Sequence, residues 1–185
     1  MPRRIAFLRA INVGGHNVVT MAALRGHFEA LGFEQVETFI NSGNVIFTSK
    51  AKSDAALERK IEAHLEKSLG YEVKTFVRSE AEIAAIARHK PFAEARMQAA
   101  LTLNVAFLAA PLDAAAQKLL MAMKTEIDDF HVNGREIYWL CTGKQHESKF
   151  SNARFERVLK VSATFRGLKT IARLAEKYSV GSAIT

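Results

Sequence analysis

Cysteine is nearly absent from this 185-residue chain. The single thiol, Cys141, excludes an internal disulfide and every multi-cysteine metal motif. Long apolar runs are missing too, and none approaches the roughly 20 residues that a membrane-crossing helix needs. The opening Met1-Pro2-Arg3-Arg4 leads into Ile5–Ile11, a stretch interrupted by Arg9. That pattern reads as a strand with a charged flank, not as a secretory signal. No Ser- or Pro-rich stretch separates one part of the chain from another. A soluble protein of the cytoplasm, with no membrane association, is the expectation. Apolar residues make up 49% and charged residues 24%, a balance that argues for a packed core and against extensive disorder.

Several functional signatures are missing as well. Asn12-Val13-Gly14-Gly15 lacks the G-x-G-x-x-G spacing, and no G-x-x-x-x-G-K-[ST] sequence occurs, so neither nucleotide fingerprint applies. The histidines His16, His27, His64, His89, His131 and His146 are scattered, with no H-E-x-x-H and no pair at metal-ligand spacing. The expectation is no metal site. Cys141 ends a β-rich run and reads as an inert thiol, and Asp128-Asp129 reads as a turn.

What is present is patterned. Ile5, Phe7 and Ile11 alternate along a first strand. Thr20 caps a helix bearing Met21, Leu24, Phe28 and Leu31, and Gly32 stops it. Residues 36–40 and 45–48 form two strands around Asn41-Ser42-Gly43-Asn44. Ser53 caps a helix with Leu57, Ile61, Leu65 and Leu69 in steps of four, stopped by Gly70, and residues 73–77 return as a strand. This β-α-β-β-α-β order is the split βαβ of ferredoxin-like folds. Ser79 and Glu82 then form a capping-box pattern for a helix ending before Pro91.

The order partly repeats. A strand over 101–108, a helix over 113–123, strands over 127–132 and 136–141 around Asn133-Gly134, and helices over 151–160 and 167–178 complete the chain. The fold class expected is α+β: duplicated βαββα units with antiparallel sheets. The divisions expected are 1–78 for the first unit, 79–100 for a connecting helix and loop, and 101–185 for the second unit with its basic C-terminal helix.

Topology marks one edge. In such a unit, the loop after the first strand and the hairpin between the second and third lie at the same end of the sheet. That places Asn12, Gly14, Gly15, His16 and Asn17 beside Asn41, Ser42, Gly43 and Asn44. Glycines permit close backbone approach, and the following helix N-terminus offers N–H groups and a positive dipole end. An anion such as a phosphate or carboxylate fits there, although the same residues also serve as plain turn formers. Arg9, on the face of Ile5 and Phe7, is read either as a structural tie between the halves or as a bidentate contact to ligand oxygens.

Net charge is +7, and it is concentrated late. From Lys144 to Lys177 nine basic residues face three glutamates, so this stretch carries +6. It attracts phosphate backbones or forms a solvated face. RNA-recognition modules share the βαββαβ order, yet residues 42–47 lack their basic-glycine-aromatic signature.

These motifs bring a resemblance. Leu8-Arg9-Ala10-Ile11-Asn12-Val13-Gly14-Gly15 is similar to the L-R-G-I-N-V-G-G opening of the bacterial domain of unknown function 1697 family. Thr38–Phe47 is similar to its T-Y-I-Q-S-G-N-V-[VI]-F segment, and residues 163–170 resemble its A-T-x-R-N-W-x-T segment. Ala10 replaces the usual glycine, and Gly167-Leu168 stand where the family has Asn-Trp. The resemblance implies an α+β ferredoxin-related fold and supplies no reaction or cofactor. It adds Thr164, Arg166 and Thr170 as a third segment approaching the edge.

The expected function is therefore a binding module for an anionic ligand, a phosphate-bearing small molecule or nucleic acid. The candidate residues are Arg9, Asn12, Gly14, Gly15, Asn17, Asn41, Ser42, Gly43, Asn44, Thr164 and Arg166. A small-molecule enzyme of unknown class and a protein-interaction module are the alternatives. No nucleophile–base pair stands out, so the sequence names neither a reaction nor a cofactor.

Overall fold

Six apolar-rich residues open the architecture as β1 (Arg3–Leu8), followed by α1 (Met21–Ala30), β2 (Glu34–Thr38), β3 (Asn44–Thr48), α2 (Asp54–Leu69) and β4 (Thr75–Ser79). Then come α3 (Glu80–Arg88), α4 (Glu94–Ala99), β5 (Thr102–Phe107), α5 (Ala114–Met121), β6 (Asp128–Asn133), β7 (Glu136–Cys141), α6 (Asn152–Leu159), β8 (Thr164–Gly167) and α7 (Leu168–Tyr178). The computed structural model describes residues 1–12, 15, 17–144 and 146–178.

The chain falls into two units, 1–84 with the segment from Leu174 onward, and 85–173. The first holds a sheet of order β2-β3-β1-β4 and the second a sheet of order β6-β7-β5-β8, antiparallel at every pairing. Both are ferredoxin-like. Each βαββα unit is closed by a further strand, β4 or β8. The second of these escaped the sequence pattern because Thr-Phe-Arg-Gly is short, polar and flanked by helices. Pairing with β5 holds it in place.

Local chemistry fixes the helix ends. Thr20 Oγ1 accepts from the Ala23 N–H at 3.1 Å and Ser53 Oγ from Ala56 at 3.3 Å. Ser79 and Glu82 cap each other reciprocally, with Ser79 N–H donating to Glu82 Oε2 and Glu82 N–H donating to Ser79 Oγ. Gly70, at φ +81°, ends α2 in the left-handed conformation that glycine adopts without steric cost.

In the first unit, one face of the sheet buries Ala6, Leu8, Val45, Phe47 and Val77 against Leu24, Phe28, Leu57, Ile61 and Leu65 of α1 and α2. Aromatic packing ties Phe28, Phe33 and Phe47 together. The second unit repeats this with Ala106, Ile137, Trp139 and Cys141 against Leu120, Phe155 and Leu159.

Some boundaries differ from the sequence reading. β1 stops at Leu8, so Ile11 lies in the loop. Asp128 and Asp129 begin β6 and are not a turn. The segment from Leu174, expected in the second unit, packs with the first. Tyr178 Oη donates to Glu37 Oε2 at 2.9 Å, Lys177 Nζ reaches the same oxygen at 3.3 Å, and the Arg3 guanidinium lies 5.4 Å from the Tyr178 ring centroid. These contacts bind the helix end to β2 and β1. Side-chain pairing across more than a hundred residues leaves no mark in local sequence.

Candidate functional site

The two polar loops of the first unit meet at one rim. β1–β3 pairing continues beyond the strands, with the Leu8 N–H donating to Gly43 O at 2.8 Å. Gly43 has φ +70°, and a Cβ there would lie 2.8 Å from Ile11 Cγ1 and 3.2 Å from Leu8 Cβ. Only glycine satisfies both the backbone angle and the space. The hairpin therefore rests directly on the chain leaving β1.

Asn12 clasps its own loop. Its Oδ1 accepts from the Val19 N–H at 2.8 Å, and its Nδ2 donates to Val19 O at 3.0 Å and to Asn41 Oδ1 at 3.3 Å. The Asn12 N–H donates to Asn17 O, and Asn17 Nδ2 donates to Ala10 O. Asn44 organises the hairpin from within. Fully buried, it donates from Nδ2 to Phe39 O at 3.0 Å and to Ser42 Oγ at 2.9 Å. Both Nδ2 hydrogens of Asn12 and of Asn44 thus have acceptors, so these two residues build the rim and offer no side-chain donor outward.

What faces solvent is a different subset. Gly15, Asn17 and Asn41 are exposed, and Ser42 and Arg9 are half-buried. Gly14, with Val13 and His16, lies outside the described residues. Arg9 stands just past the end of β1, where its N–H donates to Lys74 O at 2.8 Å. Lys74 foremost, and Arg9 more weakly, hold the Glu72 carboxyl below its usual range. Alternation along the first strand places Arg9 at the end of an apolar face. The early end of β1 moves it to the rim, and the fully buried arginine of this unit is Arg78. Backbone strain gathers here as well: Ala10, Asn12, Asn17 and Ile40 have φ between 52° and 58°.

Thr164 and Arg166 form a separate group in the second unit, on β8. Arg166 Nη1 donates to Thr164 Oγ1 at 2.8 Å and to Phe165 O at 2.9 Å. Burial pulls the Arg166 guanidinium down to about 10, which still leaves it charged at neutral pH.

Other arrangements were invisible in the sequence. His27 Nδ1 lies 3.2 Å from His64 Nε2, and His89 Nε2 lies 3.0 Å from His131 Nε2. The partners are 37 and 42 positions apart, so no spacing rule reveals them. Among the described residues no three or more His, Cys, Asp or Glu side chains are grouped so that they could hold a metal ion. The Asp128 carboxylate, 2% exposed, accepts from Thr125 Oγ1, Trp139 Nε1 and Ser148 Oγ. Beside it, burial pushes the Cys141 thiol up, which keeps it protonated and unreactive. A cleft of about 550 Å³ in the second unit is lined by Met97, Leu101, Leu103, Asn104, Leu168 and Lys169 among others.

Comparison with known proteins bears on the family and the fold. A family model described as "Protein of unknown function (DUF1697)" matches residues 1–138. The chain is also similar to the solved structure of the conserved bacterial protein SP0830 from Streptococcus pneumoniae. The TM-score is 0.74 and the identity 27%, over 95% of this chain and 97% of that one. A search of curated proteins gives no match. Among the described residues, no helix is long and apolar enough to cross a membrane.

Proposed function

The chain belongs to the DUF1697 family of proteins of unknown function, and from that premise we propose that it is a binding module holding an anionic ligand at the rim of its first unit. One observation carries this reading. Two remote polar loops are fastened to each other through Leu8–Gly43 and Asn12–Asn41, and Arg9 is the residue that follows β1 into the first of them.

The division of labour follows from the hydrogen bonds. Asn12 and Gly43 hold the two loops together, and Asn44 holds the hairpin itself. The exposed Gly15 backbone, Asn17, Asn41 and Ser42 are the groups presented to a ligand. Neutral amides and hydroxyls orient an oxyanion, and a guanidinium such as that of Arg9 supplies the charge that makes such contacts strong. A phosphate-bearing small molecule or the phosphate of a nucleic acid matches this set. Thr164 and Arg166 lie on β8 of the second unit.

Backbone amide NMR tests the proposal. Titration with inorganic phosphate, a mononucleotide and short single-stranded RNA or DNA is expected to shift amides of residues 9–19 and 39–44. Raised salt weakens a nucleic-acid ligand more steeply than a mononucleotide, because more counterions are released. Arg9→Gln is expected to weaken binding about tenfold, the effect of losing one charge-assisted contact. Absence of any response at low salt, or shifts confined to other surfaces, would remove the reading.

A further inference from the structure

We propose that His27 and His64 form a two-nitrogen site for a divalent transition-metal ion, Zn²⁺ or Cu²⁺, bridging α1 and α2.

The geometry comes first. Two imidazole nitrogens bound to one tetrahedral ion, each at about 2.0–2.1 Å, lie about 3.3 Å apart. His27 Nδ1 and His64 Nε2 are 3.2 Å apart. Their rings meet edge to face, with centroids 5.3 Å apart and planes at 67°, so the two nitrogen edges converge and the ring faces do not stack. Rigid elements hold both side chains. Leu24 and Phe28 anchor α1 in the core beside His27, and Ile61 and Leu65 do the same for α2 around His64.

The chemistry is also matched. A metal-bound histidine is neutral and offers a lone pair. In the metal-free contact, one ring N–H donates to the other ring's lone pair. The ion takes the place of that proton, which moves to the outer nitrogen of the same ring, so no proton is gained or lost.

The second histidine pair has charged side chains close to it. At His131 the nearby Lys124 charge opposes a cation, and the Asp129 carboxylate is already engaged by Lys124 and Arg96. With only two protein nitrogens, the site at His27 and His64 leaves positions for water. Copper is expected to bind more tightly than zinc, following the usual order for nitrogen ligands.

The wild-type protein decides the matter. Substoichiometric Cu²⁺ is expected to broaden the imidazole resonances of His27 and His64 before those of exposed His146 and of His131. Zn²⁺ at neutral pH is expected to raise the melting temperature by several degrees, an effect lost in His27→Gln and in His64→Gln and kept in His146→Gln. Earliest broadening at His146 or His131 overturns the proposal. So does a Zn²⁺ stabilisation that survives both substitutions, or no response to either metal at millimolar concentration.

Discussion

Arg78 and Arg166 occupy the same position in the two sheets. Arg78 of β4 stands opposite Ile5 of β1, and Arg166 of β8 stands opposite Val105 of β5. Two residues along, Phe7 faces Phe76 and Phe107 faces Thr164. Each arginine donates from Nη1 to the carbonyl of the residue before it, Val77 at 2.8 Å and Phe165 at 2.9 Å. The duplication is therefore carried in strand register and in one side chain, although the surrounding residues have diverged.

The rim tolerates change at some positions and not at others. Ala10 sits at φ +58°, a region that costs an L-residue about 1–2 kcal/mol. Ala10→Gly is expected to stabilise the protein by about 0.5–1 kcal/mol after the extra backbone entropy of glycine is subtracted. Gly43→Ala meets both a left-handed backbone and Ile11, and is expected to destabilise by about 2 kcal/mol or more. Urea midpoints of the two variants, moving in opposite directions, are the check.

Glu58, 7% exposed, guards a sheet edge. Its Oε1 accepts from the Val77 N–H at 2.8 Å, and Glu62 Oε1 accepts from Thr75 at 2.9 Å. Both N–H groups belong to β4, an outer strand. Glu58→Ala is expected to cost about 1–3 kcal/mol by leaving a buried donor unpaired. Because an unprotected strand edge invites pairing with another chain, sedimentation should also show association that increases with concentration. Glu58→Gln, which keeps an acceptor oxygen, should lose much less.

Asp128 pins the chain between β7 and α6. Its carboxylate receives Trp139 Nε1 at 2.9 Å and Ser148 Oγ at 2.8 Å, while Phe150 stacks on the Trp139 ring at a centroid distance of 4.1 Å. Asp128→Ala removes a shared acceptor from several donors at once and is expected to cost about 3 kcal/mol or more. Trp139 is the chain's single tryptophan, so its fluorescence reports both the altered surroundings and the lowered unfolding midpoint.

Stability is expected to depend on pH through His131. Burial foremost, then the charge of His89, lower its pKa in the folded protein, with Asp129 opposing and Lys124 adding to the effect. An unfolded histidine titrates at about 6.5, so below that value the unfolded chain binds more protons than the folded one. The contribution is complete above the unfolded pKa and is lost as pH falls towards the folded one. His27 acts in the same direction. Urea midpoints at about pH 7.5 and about pH 5.5 should differ by less in His131→Gln than in wild type.

The helix starts at Thr20, Ser53 and Ser79 were readable because capping is decided within four residues. The rim was readable for another reason: βαββ topology sends the first loop and the hairpin to the same end whatever their side chains. Reading failed where a decision rests on remote partners. Nothing near Arg9 says that β1 stops one residue earlier. Nothing near Asp128 announces Trp139 and Ser148, and β8 exists only because β5 is there to pair with it.

Sequence alone determined the helices other than α4, the hairpins and most of the repeated alternation of elements, since periodicity, caps and turn residues act over short range. Tertiary structure decided which polar groups remain available. It turned Asn12 and Asn44 inward as fasteners, left Asn17 and Asn41 facing solvent, and set His27 against His64. Such choices depend on which atoms meet across the fold, and hydrogen-bonding capacity used internally is no longer open to a ligand.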